Sequence, residues 1–185
     1  MKKISAILFS LFLLASCGST PTSGDDDPLF YTYETSEYQI DIPDTWEVIT
    51  DFDSSYPSGL RVAFKNNIRD KTFIANVNII HERSAETKTN EDVSQQKLKD
   101  NSSTLLNYKL NSRSEINLGV GNDSSSTVLN KFEGKNKTNG YTFNFMQTYL
   151  TRGQDVWIIS SGYLTDEDEF VVERMKKMLL SFKLK

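Results

Sequence analysis

Cysteine and histidine are nearly absent from this 185-residue sequence: there is one of each. A single cysteine excludes an intramolecular disulfide, and one histidine beside it excludes a zinc site built from several His or Cys ligands. Basic residues are not in excess either. Lys and Arg number 21 against 25 Asp and Glu, for a net charge of −4. The chain therefore lacks the electrostatic footprint of a nucleic-acid binder, and no nucleic-acid partner is expected. No apolar run reaches the roughly 20 residues of a membrane-spanning helix. What is present is 37% hydrophobic and 25% charged residues, enough apolar material for a core and too much for a disordered chain. Aromatic residues reach 11%, and most fall in alternating patterns.

The first residues carry an address. Met1, Lys2 and Lys3 form a short basic segment, and residues 4–15 are apolar apart from Ser5 and Ser10. A run of that length suits a signal peptide better than a membrane span. It ends in Leu14-Ala15-Ser16-Cys17, which resembles the lipobox of bacterial lipoproteins. The resemblance implies that the leader, residues 1–16, is removed and that Cys17 is lipidated and becomes the first residue. Each buried methylene contributes about 0.8 kcal/mol, so two or three acyl chains hold a protein stably on a bilayer. The lone cysteine then has a use. Residues 17–28 contain no large apolar residue after Cys17 and read as a flexible tether, with Asp25, Asp26 and Asp27 as a solvated run. The expected location is lipid-anchored and extracytoplasmic, on the cell membrane or the outer membrane.

From Leu29 the pattern changes to short alternating stretches. Tyr38, Ile40 and Ile42 alternate with Gln39 and Asp41; Trp46 and Val48 follow a Pro43-Asp44 turn; Leu60, Val62 and Phe64 follow a Ser-, Asp- and Pro-rich loop over residues 51–59. Each reads as a half-buried strand. Phe73, Ala75, Val77 and Ile79 share one face of a longer strand with Ile74 and Ile80 on the other, so that strand should be covered on both sides. Thr89 and Asp92 fit a capping box for a helix reaching about Asn107, with Val93, Leu98, Leu105 and Leu106 as a thin apolar stripe. Strands are expected over residues 116–118, 127–132, 141–150 and 156–163, the last two joined by a hairpin turn at residues 152–155. A second capping box at Thr165 to Asp168 should open a final helix. In it Val171, Met175, Met178 and Leu179 line a core-facing stripe, and Lys176 and Lys177 complement the dipole near its end. Residues 181–184 should close the chain as a short extended tail. Hairpin-length connections between strands, with helices packed on them, define an α+β domain over residues 29–185 with an antiparallel sheet.

This pattern resembles the PsbP-like fold, shared by an extrinsic photosystem subunit, the Ran-binding Mog proteins and bacterial DcrB-type lipoproteins. The resemblance is carried by the segment from Tyr38 through Pro43 to Trp46 and Val48, and by the aromatic hairpin ending near Tyr163, Phe170, the last helix and Ser181-Phe182-Lys183. It implies an α/β/α sandwich around an antiparallel sheet. It also implies docking or assembly rather than catalysis, and no metal-ligand residues carry over. Trp46 is expected as a core anchor of its hairpin.

The chemistry-bearing residues form no motif. His81 is the only imidazole and follows a strand, without a Gly-x-Ser-x-Gly elbow, so it reads as exposed or structurally bonded. Asp51 and Asp53 begin like a calcium loop, but Tyr56 and Val62 stand where Gly and Glu are needed. Gly119-Val120-Gly121 is too short for a phosphate loop. Asp166, Glu167, Asp168 and Glu169 with Glu173 could cluster, yet helix capping accounts for the acids. No catalytic residue, metal or cofactor is therefore expected. The function read here is a membrane-anchored, non-catalytic module that docks on an envelope protein or binds a small ligand. Such a module should show an exposed apolar or aromatic patch on one sheet face or a cleft beside the 51–59 loop. The alternative is a cell-envelope hydrolase with a carboxylate pair, which requires two convergent acids with perturbed pKa values.

Overall fold

The strand segments read from the sequence assemble edge to edge. A computed structural model describes residues 29–67 and 73–185. The leader, Cys17, the tether and the Asp70-Lys71 turn lie outside the described residues. In chain order the elements are β1 (Phe30–Glu34), β2 (Tyr38–Pro43), β3 (Trp46–Ile49), β4 (Leu60–Asn66), β5 (Asn76–Arg83), α1 (Asn90–Thr104), β6 (Leu106–Val120), β7 (Asp123–Lys135), β8 (Phe143–Arg152), β9 (Asp155–Leu164), α2 (Glu169–Ser181) and β10 (Lys183–Leu184). The strands form one ten-stranded sheet in the order β1-β2-β10-β6-β7-β8-β9-β5-β4-β3. Every neighbouring pair is antiparallel except β10 with β6.

Alternation divides the sheet into two faces. On one, Ile40, Ile42, Phe64, Val77, Ile79, Leu129, Leu150 and Ile159 meet Val171, Met175, Met178 and Leu179 of α2. On the other, Val93 of α1 packs with Val128, Tyr149, Val156 and Ile158, and Ile80 borders them. The helices thus cover opposite faces, the α/β/α arrangement expected. The α2 stripe is buried at all four expected positions, and Trp46 is 5% exposed in the main core. Among the described residues no helix is long and apolar enough to cross a membrane.

Several boundaries differ from expectation, each for a physical reason. β1 carries no clean alternation, because as an edge strand it pairs only with β2. β5 starts at Asn76, after Phe73, Ile74 and Ala75. α1 does close its capping box, with Thr89 Oγ1 and Asp92 in reciprocal bonds. It ends at Thr104, however, and Leu105 caps it, while Leu106 already belongs to β6 and is exposed. β6 runs for 15 residues and β7 for 13. The first part of β6 lacks periodicity because residues 106–115 stand almost wholly in solvent. The cap of α2 is Asp168, whose side chain accepts from the Phe170 N–H, and no basic residue lies in the last turn. Thr165 instead bonds the carbonyl of Thr142. The segment read as a tail enters the middle of the sheet: Lys183 lies opposite Gln39 of β2 and Gly119 of β6. Phe182 and Leu184 beside it are buried.

Candidate functional site

α1 reaches across β6, β7 and β8 and leaves the same face of β3, β4 and β5 without a helix. The register places Ile49, Ala63 and Asn78 side by side there, with Lys65 opposite Asn76 in the next row. The loop over residues 51–59 folds over this half of the sheet, and a cleft of about 330 Å³ lies between them. Its walls are Ile49, Phe52, Tyr56, Pro57, Leu60, Ile74 and Ile80, its floor is Ala63, Asn76 and Asn78, and Asp51 and Lys65 stand at its rim.

Short-range chemistry shapes the loop. Asp53 Oδ1 accepts from the Ser55 amide at 2.8 Å and the Ser55 hydroxyl at 2.5 Å. These bonds hold the Asp53 carboxyl below its usual pKa, the Asx-turn behaviour of an Asp before a tight bend. The Tyr56 amide donates to the Asp53 carbonyl and the Leu60 amide to the Pro57 carbonyl. The loop is then seated on β5 by the His81 amide, which donates to the Gly59 carbonyl at 2.8 Å. Approach is so close that a Cβ on Gly59 would stand 2.5 Å from the His81 carbonyl oxygen, so only glycine fits. The two aromatic rings of the loop, Phe52 and Tyr56, lie 5.3 Å apart at 57°, and Tyr56 is 52% exposed. Of the charges here, Lys65 is held by Glu47 at 2.8 Å. Asp51 makes no hydrogen bond or ion pair among the described residues.

The floor continues beneath α1 as a polar network. Tyr149 donates to Gln147 Oε1 at 2.7 Å and Gln147 Nε2 to Ser160 at 2.7 Å. Asn130, fully buried, donates to Ser94 of α1 at 2.9 Å. Burial pushes the Tyr149 phenol well above its ordinary pKa.

The structure places the other sequence candidates apart from the cleft. His81 stacks on Trp157, with ring centres 4.1 Å apart and 6° between planes. Its Nδ1 lies 2.9 Å from Arg61 Nη2 and its Nε2 3.0 Å from Asp155 Oδ1. A guanidinium can only donate, so Nδ1 accepts and Nε2–H donates to Asp155. His81 is therefore bonded on both nitrogens, and its partners are Arg61, Asp155 and Trp157 rather than a serine. A cavity of about 200 Å³ beside it is lined by Glu37, Arg152, Asp155 and Lys185. The acids before α2 do not converge: Asp168 caps the helix and Glu173 pairs with Lys176. Among the described residues, Glu34 is held below its usual pKa by Lys185, Glu91 chiefly by Gln95 and Asp92 by Thr89. Among the described residues no three His, Cys, Asp or Glu side chains are grouped to hold a metal ion. The sequence marked the loop of the cleft and, through Ile74 and Ile80, a covered second face of the strand, but nothing in it singled out Asn76 and Asn78 as the floor.

No protein-family model and no curated protein sequence matches the chain. Solved structures match its fold. The solution structure of cyanobacterial PsbP from Synechocystis has a TM-score of 0.58 at 18% identity, covering 93% of this chain and 99% of that one. The Saccharomyces cerevisiae Ran-binding protein Mog1p has a TM-score of 0.57 at 10% identity, covering 84% and 95%. LpqN, involved in cell envelope biogenesis of Mycobacterium tuberculosis, has a TM-score of 0.57 at 14% identity, covering 85% and 91%. The α+β architecture of this chain, a sheet with helices packed on it, thus matches the fold of PsbP and Mog1p.

Proposed function

We propose that this protein is an extracytoplasmic lipoprotein, anchored through Cys17, whose domain over residues 29–185 is a non-catalytic docking or ligand-binding module. Its binding surface is the cleft under the 51–59 loop. The observation that carries the reading is the cleft itself: an apolar hollow with a few polar groups, formed by a loop seated on a rigid sheet, which is the usual make-up of a ligand site. The lipobox at residues 14–17 supports the anchor. The fold is compatible with binding work, since one protein that shares it is named for binding Ran and another for envelope biogenesis, though fold alone assigns no function. The hydrolase alternative finds little support in the small polar cavity, whose acids are Glu37 and Asp155. Asp155 is bonded to His81 there.

The test has two arms. Membrane fractionation with mass analysis of the N-terminal peptide should find an acylated Cys17, and Cys17→Ala should leave the membrane fraction; an unmodified Cys17 refutes the anchor. A pull-down from detergent-solubilised native membranes, or a search for a bound small molecule, should recover an occupant with the wild type and lose it with Ala63→Trp, which fills the cleft floor. Equal recovery with both refutes the cleft as the binding surface.

A further inference from the structure

We infer that the cleft selects a small apolar molecule carrying one cationic amine. The inference rests on reading the cleft as the binding surface and adds the chemistry of its occupant. A volume of about 330 Å³ is at the lower end for ligand pockets, about 300–1,000 Å³, and suits a single ring with a short arm. The walls Ile49, Leu60, Ile74 and Ile80 offer burial to the apolar body and no polar partner.

The charges at the rim decide what the arm carries. Asp51 is a rim carboxylate with no partner among the described residues. Lys65, the cation that lines the cleft, is neutralised by Glu47 at 2.8 Å, and Asp53 adds a second negative charge to the same loop. Among the described lining residues Asp51 is therefore the one charge left unneutralised. It attracts an ammonium group, gives a hydroxyl little, and repels a carboxylate. The Phe52 and Tyr56 rings line the same cleft and strengthen the choice, because an aromatic face attracts a cation more strongly than a neutral group. The exposed rim holds this preference to a modest size, since water and salt screen an exposed pair.

The experiment uses three probes with the same body: 2-phenylethylamine, 2-phenylethanol and phenylacetate. Each is titrated by calorimetry into the full chain in lipid nanodiscs, with empty nanodiscs as blank. The amine should bind about three- to tenfold more tightly than the alcohol, with the acid weakest, and the preference should shrink at high salt. Asp51→Asn should shrink the advantage of the amine over the alcohol to the part the Phe52 and Tyr56 rings supply, while leaving the alcohol unchanged; Tyr56→Ala should weaken both. Equal binding of all three probes, tighter binding of the acid, or an amine preference that Asp51→Asn leaves undiminished overturns the inference while the cleft reading stands. Binding of no probe by the folded wild type, with Ala63→Trp indistinguishable from it, overturns both.

Discussion

Tyr149 gives a sharp handle on the network beneath α1. Its ring is fully buried, its hydroxyl donates to Gln147 Oε1 at 2.7 Å and lies 3.4 Å from Asn130 Nδ2. Burial raises its pKa above that of a free tyrosine, and burial does the same to Tyr38. Below about pH 10 the phenol is protonated in both the folded and unfolded chain, so its stabilisation is fully present. Above about pH 10 the unfolded chain releases the proton while the folded one keeps it, and stability falls by about 1.4 kcal/mol per pH unit for each such tyrosine. With Tyr149 and Tyr38 together, the wild type should lose about 2–3 kcal/mol between about pH 10 and pH 11. Tyr149→Phe should cost about 1–3 kcal/mol at neutral pH, because Gln147 loses its donor. Its alkaline slope should be shallower by about 1.4 kcal/mol per unit. Urea unfolding at about pH 7, 10 and 11 measures both quantities. Parallel pH profiles for wild type and Tyr149→Phe would refute the burial argument, whatever the neutral-pH cost.

Phe182 is fully buried against Tyr38 at 5.5 Å and Trp157 at 6.3 Å. Phe182→Ala should therefore cost about 3–5 kcal/mol, whereas Phe170→Ala, at a site 62% exposed, should stay within about 0.5 kcal/mol; denaturant midpoints compare them. Thr89→Ala removes the cap of α1 and should cost about 0.5–2 kcal/mol at neutral pH. Because Thr89 lowers the Asp92 pKa, the contribution of Asp92 is present above its unfolded pKa and lost as pH falls through its folded one. The acid limb of the stability profile, followed by circular dichroism, should flatten in Thr89→Ala. Gly59→Ala places a methyl 2.5 Å from the His81 carbonyl oxygen and should cost about 1–3 kcal/mol. Probe affinity should fall with it, and a thermal melt beside a titration checks both.

What the sequence made legible was whatever rests on local pattern. Tyr38, Ile40 and Ile42 alternate because β2 has one face in the core, the stripe from Val171 to Leu179 follows helical period, and Thr89 with Asp92 is a self-contained cap. What stayed hidden depends on partners distant in the chain. A two-residue strand has no periodicity, and β10 exists because Gln39 and Gly119 stand on either side of Lys183. The outer half of β6 is held by β7 alone, so its side chains need not alternate. The cleft was half legible: the Asp-, Ser- and Pro-rich composition of residues 51–59 marked a loop that could frame a site. Its floor was not, because Asn76 and Asn78 form one only through the register of β5 on β4 and the end of α1 at its border.

The central claim is that the cleft is an occupied binding site. Native mass spectrometry of the protein released from its own membranes, wild type beside Ala63→Trp, tests it most directly. A bound small-molecule mass should appear on the wild type and be missing from Ala63→Trp, with the two proteins melting at the same temperature. Identical spectra for the two folded proteins would contradict it.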